Sequence, residues 1–68
     1  MADIQTEIGE TAGKVWQALS DEGPQTVVQL KKKVAASNEV LYFALGWLAR
    51  EDKIEIVSGK KSFRVQLR

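Results

Sequence analysis

The sequence predicts an α+β fold, three helices followed by a small antiparallel β-sheet formed by a hairpin, and three features point to it. Between residues 4 and 52, apolar side chains recur at three- and four-residue steps in three separate runs, the spacing of a helix that buries one face. From Ile54 the period drops to two: Ile54 and Ile56, then Phe63, Val65 and Leu67, alternate with their neighbours as strand residues do. Between those two runs lies Ser58-Gly59-Lys60-Lys61, a turn-forming stretch.

The first helix is expected over Ile4 to Ser20. Ile4, Ile8, Ala12, Val15, Trp16 and Leu19 form its apolar stripe, and Asp3 stands in position to cap it. Gly9 and Gly13 lie beside that stripe, where they either admit a close backbone neighbour or are simply tolerated at a cost of about 1 kcal/mol each against alanine. Asp21-Glu22-Gly23-Pro24 ends the helix, because glycine suits the left-handed cap and proline cannot continue it. Gln25 and Thr26 follow as a very short strand or an extended link.

Thr26-Val27-Val28-Gln29 fits a capping box, which predicts a second helix from Val27 to Ala35 with Val27, Leu30 and Val34 on one face. After a tight turn at Ala35-Ala36-Ser37-Asn38, capped by Ser37 or Asn38, a third helix is expected from Asn38 to Asp52. Its core stripe is Leu41, Ala44, Leu45 and Leu48. In the hairpin, pairing Ile56 with Phe63 and Ile54 with Val65 turns all five apolar residues inward. It leaves Gly59-Lys60 as a two-residue type II′ turn and sets Glu55 opposite Arg64.

At 68 residues, the chain is expected to be one domain, residues 1–68, near the lower limit for a core without staples. It has no cysteine and no histidine, so disulfides, thiol or imidazole nucleophiles and the common transition-metal ligands are absent from the sequence. The serines have no histidine to activate them, and Gly9 to Gly13 is not a phosphate loop. Neither catalysis, a cofactor nor a metal is expected. No apolar run reaches the length of a signal core or membrane span, so a cytoplasmic location is expected. Ten basic residues against nine acidic ones give a net charge of only +1, so any attraction to phosphate depends on where the charges sit.

The order helix, extended link, helix, helix, strand, wing, strand is that of a winged helix-turn-helix domain. Two segments narrow it further: Ala12-Gly13-Lys14-Val15-Trp16-Gln17-Ala18-Leu19, and more specifically Ala44-Leu45-Gly46-Trp47-Leu48-Ala49-Arg50-Glu51-Asp52-Lys53-Ile54. They resemble a family of small stand-alone bacterial winged-helix proteins of unknown function. The resemblance implies the fold and brings no established ligand; it carries only the general expectation that winged helices bind DNA, often as transcriptional regulators.

In a DNA-reading winged helix, the outer face of the third helix enters the major groove with side chains that hydrogen-bond base edges. Here that face carries Glu39, Tyr42, Phe43, Gly46 and Arg50, with Trp47 at its margin. Arg50 is the candidate for guanine. Asn38, at the helix start, is either a cap or a contact to adenine or phosphate. Lys60 and Lys61 at the wing tip, with Arg64 and Arg68 on the outer strand face, suit backbone phosphates, or else protect a hairpin edge by charge. Consecutive Lys31, Lys32 and Lys33 fan out over the second helix as a solvated face.

Two functions follow. The first is binding of duplex DNA through Asn38, Arg50, Lys60, Lys61 and Arg64. The second is a protein-interaction module or homodimer that uses Tyr42, Phe43 and Trp47, aromatics standing where a DNA reader carries polar groups.

Overall fold

The computed structural model describes residues 3–68. In chain order the elements are α1 (Ile4–Glu22), β1 (Gln25–Thr26), α2 (Val27–Lys33), α3 (Asn38–Arg50), β2 (Ile54–Ser58) and β3 (Phe63–Leu67). This is the α+β winged-helix arrangement that the periodicity predicts.

Each helix starts where a side chain satisfies its open amides. The Asp3 carboxylate accepts from the Thr6 N–H at 2.8 Å. That backbone bond, helped by the Thr6 side chain, holds the Asp3 carboxyl below its usual pKa. The contribution of this cap is therefore present above the ordinary carboxylate pKa and is lost as the pH falls through the lowered folded value. At α2 both halves of the capping box are closed: the Gln29 N–H donates to Thr26 Oγ1 at 3.1 Å, and the Thr26 N–H donates to Gln29 Oε1 at 2.9 Å. At α3 the cap is Ser37, whose Oγ accepts from the Val40 N–H at 3.2 Å, so Asn38 is free of that task.

The helix ends differ from expectation for local reasons. α1 runs on to Glu22 because Gly23, at φ +81°, is the residue that leaves the helix, its N–H donating to the Leu19 carbonyl at 2.9 Å. α2 stops at Lys33, and Val34 turns extended while its side chain stays buried. α3 stops at Arg50 because Asp52 takes the left-handed conformation, φ +60°. Its N–H reaches the Ala49 carbonyl at 3.1 Å and the Lys53 N–H reaches the Leu48 carbonyl at 3.0 Å, the double bond of a Schellman motif with aspartate in glycine's usual place.

An L-residue is strained at that position, and a carboxylate is unfavourable at a helix C-terminus. Its compensating contact, Arg68 Nη1 to Asp52 Oδ1 at 3.4 Å, is long and solvent-exposed. Asp52→Gly should therefore raise stability by about 0.5–1 kcal/mol. The urea midpoint would show it, and a lowered midpoint would mean that the Arg68 contact outweighs the strain.

The sheet has three antiparallel strands in the order β1-β3-β2, so the two-residue link is a strand, paired Gln25↔Val65 and Thr26↔Arg64. The hairpin register departs from expectation by two residues. Ile54 lies opposite Leu67, Ile56 opposite Val65, Val57 opposite Arg64 and Ser58 opposite Phe63. A slip of two keeps every side chain on its face, so apolar alternation alone could not separate the two registers. Pairing at the base decides it: the Arg68 N–H donates to the Lys53 carbonyl at 3.2 Å.

The turn is consequently a four-residue loop, Gly59 to Ser62, and Glu55 faces Gln66, whose Nε2 donates to Glu55 Oε1 at 2.9 Å, instead of Arg64. Gly59 is needed because a Cβ there would overlap the Ser62 carbonyl oxygen, and not because a type II′ turn demands it.

The core gathers Ala12, Val15 and Leu19 of α1, Val27, Leu30 and Val34, all four residues of the α3 stripe, and Ile54 and Val65 of the sheet. Trp16, about 100° around α1 from Val15, is exposed, and so is Ile4, since the first turn of α1 overhangs the core. Around Gly9 and Gly13, nothing lies within 4 Å of where a Cβ would stand, so neither admits a close neighbour within the chain. Two polar residues that the pattern does not mark, Thr11 and Gln25, are buried. Gln25 Nε2 donates to the Ala18 carbonyl at 3.1 Å and so ties β1 to α1.

The hairpin's inward face is only half used. Ile54 and Val65 are buried and Leu67 packs against them, but Ile56 and Phe63, expected inside, are 40% and 55% exposed. Towards its tip the hairpin leaves the helices.

Candidate nucleic-acid interface

Where the hairpin departs from the helices, it leaves an open groove of about 670 Å³ between α2, α3 and the wing. Val28 from α2, Tyr42 and Gly46 from α3, and Ile56 and Phe63 from the wing form its apolar walls. Lys31 and Lys61 are its charged residues. A second depression, about 540 Å³, lies under the wing tip and is lined by Thr26, Val57, Lys60, Lys61 and Arg64 among others. Lys61 belongs to both, and neither has an acidic residue in its lining. The wing cations thus form one continuous group that reaches around the tip.

The three lysines of α2 separate by role. Lys33 is paired with Glu22, whereas Lys31 turns to the groove. Arg68, at the base of the hairpin, is held by Asp52 and stands apart from the wing tip. Among the described residues, Lys31, Arg50, Lys60, Lys61 and Arg64 enter no ion pair.

On α3, Tyr42 and Gly46 face the groove, whereas Arg50, seven residues beyond Phe43, falls about 20° from it around the helix and so belongs to the outer face at the C-terminal end, outside the groove. Asn38 is exposed at the opposite end of the helix. The structure divides the three aromatics: Tyr42 lines the groove, while Phe43 and Trp47, 52% and 49% exposed, lie outside it.

Sequence reasoning missed Phe63 and Ile56, which alternation assigns to the core, and Lys31, hidden in a run of like charge. The one signal for Phe63 was its place next to the turn, farthest from the helices that could cover it.

Among the described residues, no group of three or more acidic, histidine or cysteine side chains is arranged to hold a metal ion, and no helix is long and apolar enough to cross a membrane.

The sequence matches the profile of a family described as winged helix-turn-helix domain (DUF2582) over residues 1–67. The chain belongs to this family. The winged-helix domain is 37% identical over 71 residues to an uncharacterized protein of the archaeon Methanocaldococcus jannaschii, MJ1608, with the whole of both chains aligned. It also resembles the solution NMR structure of protein BT2368 from Bacteroides thetaiotaomicron, at a TM-score of 0.79 and 35% identity, covering 93% of this chain and 77% of that one. Relatives of the winged-helix domain are therefore archaeal as well as bacterial, which widens the resemblance read from the sequence.

Proposed function

We propose that this winged-helix domain binds duplex DNA, chiefly through the phosphate backbone and with little sequence preference. The observation that carries the reading is the wing tip: Lys60, Lys61 and Arg64 line one surface, and among the described residues no acidic side chain joins them and no ion pair neutralises them. Phosphate contacts of this kind position a protein without reading bases. Arg50 at the end of α3 is the one strong base-edge donor on the outer face, with Asn38 a lesser one at the start. Glu39, Phe43 and the bare backbone of Gly46 occupy the stretch between them, which accounts for weak specificity.

Titration of labelled duplex at low salt tests this. A dissociation constant on the order of micromolar to tens of micromolar, rising steeply with salt, is expected. A flat titration would remove the proposal.

A second reading rests on Phe43 and Trp47, each about half exposed on the flank away from the groove. Large aromatics there suit a protein contact, either another copy or a different partner. If two copies pair through this flank, Phe43→Glu should convert a dimer to a monomer in sedimentation velocity; identical behaviour of both proteins would discard the homodimer version.

A further inference from the structure

The groove between α2, α3 and the wing has a composition that duplex binding does not use. Its walls include two exposed aromatic side chains, Tyr42 on α3 and Phe63 on β3, and its only charges are Lys31 on one wall and Lys61 on the other. We propose that this groove binds single-stranded nucleic acid, with bases stacked on Tyr42 and Phe63 and phosphates held by Lys31 and Lys61.

Three observations carry it. Phe63 belongs to the inward face of the sheet, in register with Ser58 beside the turn, yet it is more than half exposed because no helix side chain covers it. A ring exposed to that extent in the groove wall has surface free for a flat partner. Stacking of bases on aromatics tolerates any sequence, since every base has a π-face. A duplex keeps its bases stacked on one another and has none to offer such a ring, so the groove selects for a single strand.

The charges also match. Lys33 is neutralised by Glu22, but Lys31 is unpaired and turned to the groove. Lys61 continues beyond the groove into the depression lined by Lys60 and Arg64, so a strand leaving the groove meets further cations. A basic track beside stacking platforms is the pattern of single-strand binding surfaces. An acidic amphipathic helix would match the apolar walls and Lys31 and Lys61, but a straight helix in the groove does not bend round the wing tip to Lys60 and Arg64 as a flexible strand does. The inference rests on the wing cations of the duplex reading and adds Lys31, Tyr42 and Phe63 to them.

The experiment is fluorescence anisotropy with a short labelled oligothymidine and a duplex of equal length, on the full chain. Tyr42 and Phe63 are both exposed, so Tyr42→Leu and Phe63→Leu keep apolar bulk while removing the π-face. A matching thermal melt by circular dichroism confirms that they fold. Each should weaken oligothymidine binding by about five- to tenfold or more and leave duplex binding within about twofold. Lys31→Ala should reduce the salt slope for oligothymidine by about 0.7 and leave the duplex slope unchanged.

If the duplex binds and oligothymidine does not, or if the leucine variants weaken both alike, the groove proposal is overturned and the duplex reading stands. Oligothymidine binding that responds to the leucine variants, with no duplex binding, supports the groove and removes the duplex reading. Binding of neither removes both. Saturable binding of a labelled Glu- and Leu-rich helical peptide, without oligothymidine binding, overturns the proposal in favour of a peptide groove.

Discussion

Leu41→Ala should cost about 3–5 kcal/mol of unfolding free energy, enough to leave much of the protein unfolded near body temperature. Leu41 is among the most deeply buried side chains, 1% exposed, on the α3 stripe that faces α1 and the sheet. Removing its isopropyl group forfeits the transfer free energy of the lost carbons and leaves a hole that a close-packed interior fills only in part. A domain of 68 residues has little reserve: at about 0.05–0.15 kcal/mol per residue, total stability is about 3–10 kcal/mol. No disulfide is present to limit the unfolded chain. Urea denaturation followed by circular dichroism should show a much lower midpoint with an unchanged slope. A loss below about 1 kcal/mol would mean that α3 collapses onto the vacancy, and the packing would then be looser than the burial implies.

The second large effect belongs to the wing. Replacing Lys60, Lys61 and Arg64 together by alanine should lower the slope of log affinity against log salt for duplex DNA by about 2 to 3, since each phosphate contact contributes about 0.9. At low salt, affinity should fall by at least about tenfold. All three side chains are exposed and enter no ion pair among the described residues, so the fold should survive their loss. Arg50→Ala serves as the contrast. If Arg50 reaches a base edge, its removal costs about 1–3 kcal/mol on the preferred sequence and much less elsewhere. Equal binding by the wing variant and the parent protein would place the nucleic-acid surface elsewhere.

How far the sequence could be read depended on which interactions were local. Capping at Asp3, Thr26 and Ser37, and the α3 stripe from Leu41 to Leu48, are decided within three or four residues, and the structure has them as the pattern predicts. The end of α3 was not legible, because Asp52 adopts a conformation that sequence statistics reserve mostly for glycine. The hairpin register depended on contacts at the base with β1 and Lys53, distant in sequence and invisible to a period of two.

The candidate surface was half legible. The exposed cations of the wing and the exposed aromatics of α3 follow from helix and strand geometry. The groove does not, because it exists only where Ile56 and Phe63 fail to meet a helix, and that is a property of how three elements diverge. Lys31 acquires its position from the same divergence, whereas its neighbour Lys33 is drawn to Glu22.

That divergence also makes the wing a cantilever. Its root is clamped on both sides, by Ile54 and Val65 in the core and by β1 along β3, while from Ser58 to Phe63 the ribbon has only its own two strands to stiffen it. Compliance therefore increases along the hairpin towards the end that carries Lys60 and Lys61. A ligand held there has to restrain that end, and the entropy given up in doing so lowers affinity while leaving the cations free to follow partners of different shape.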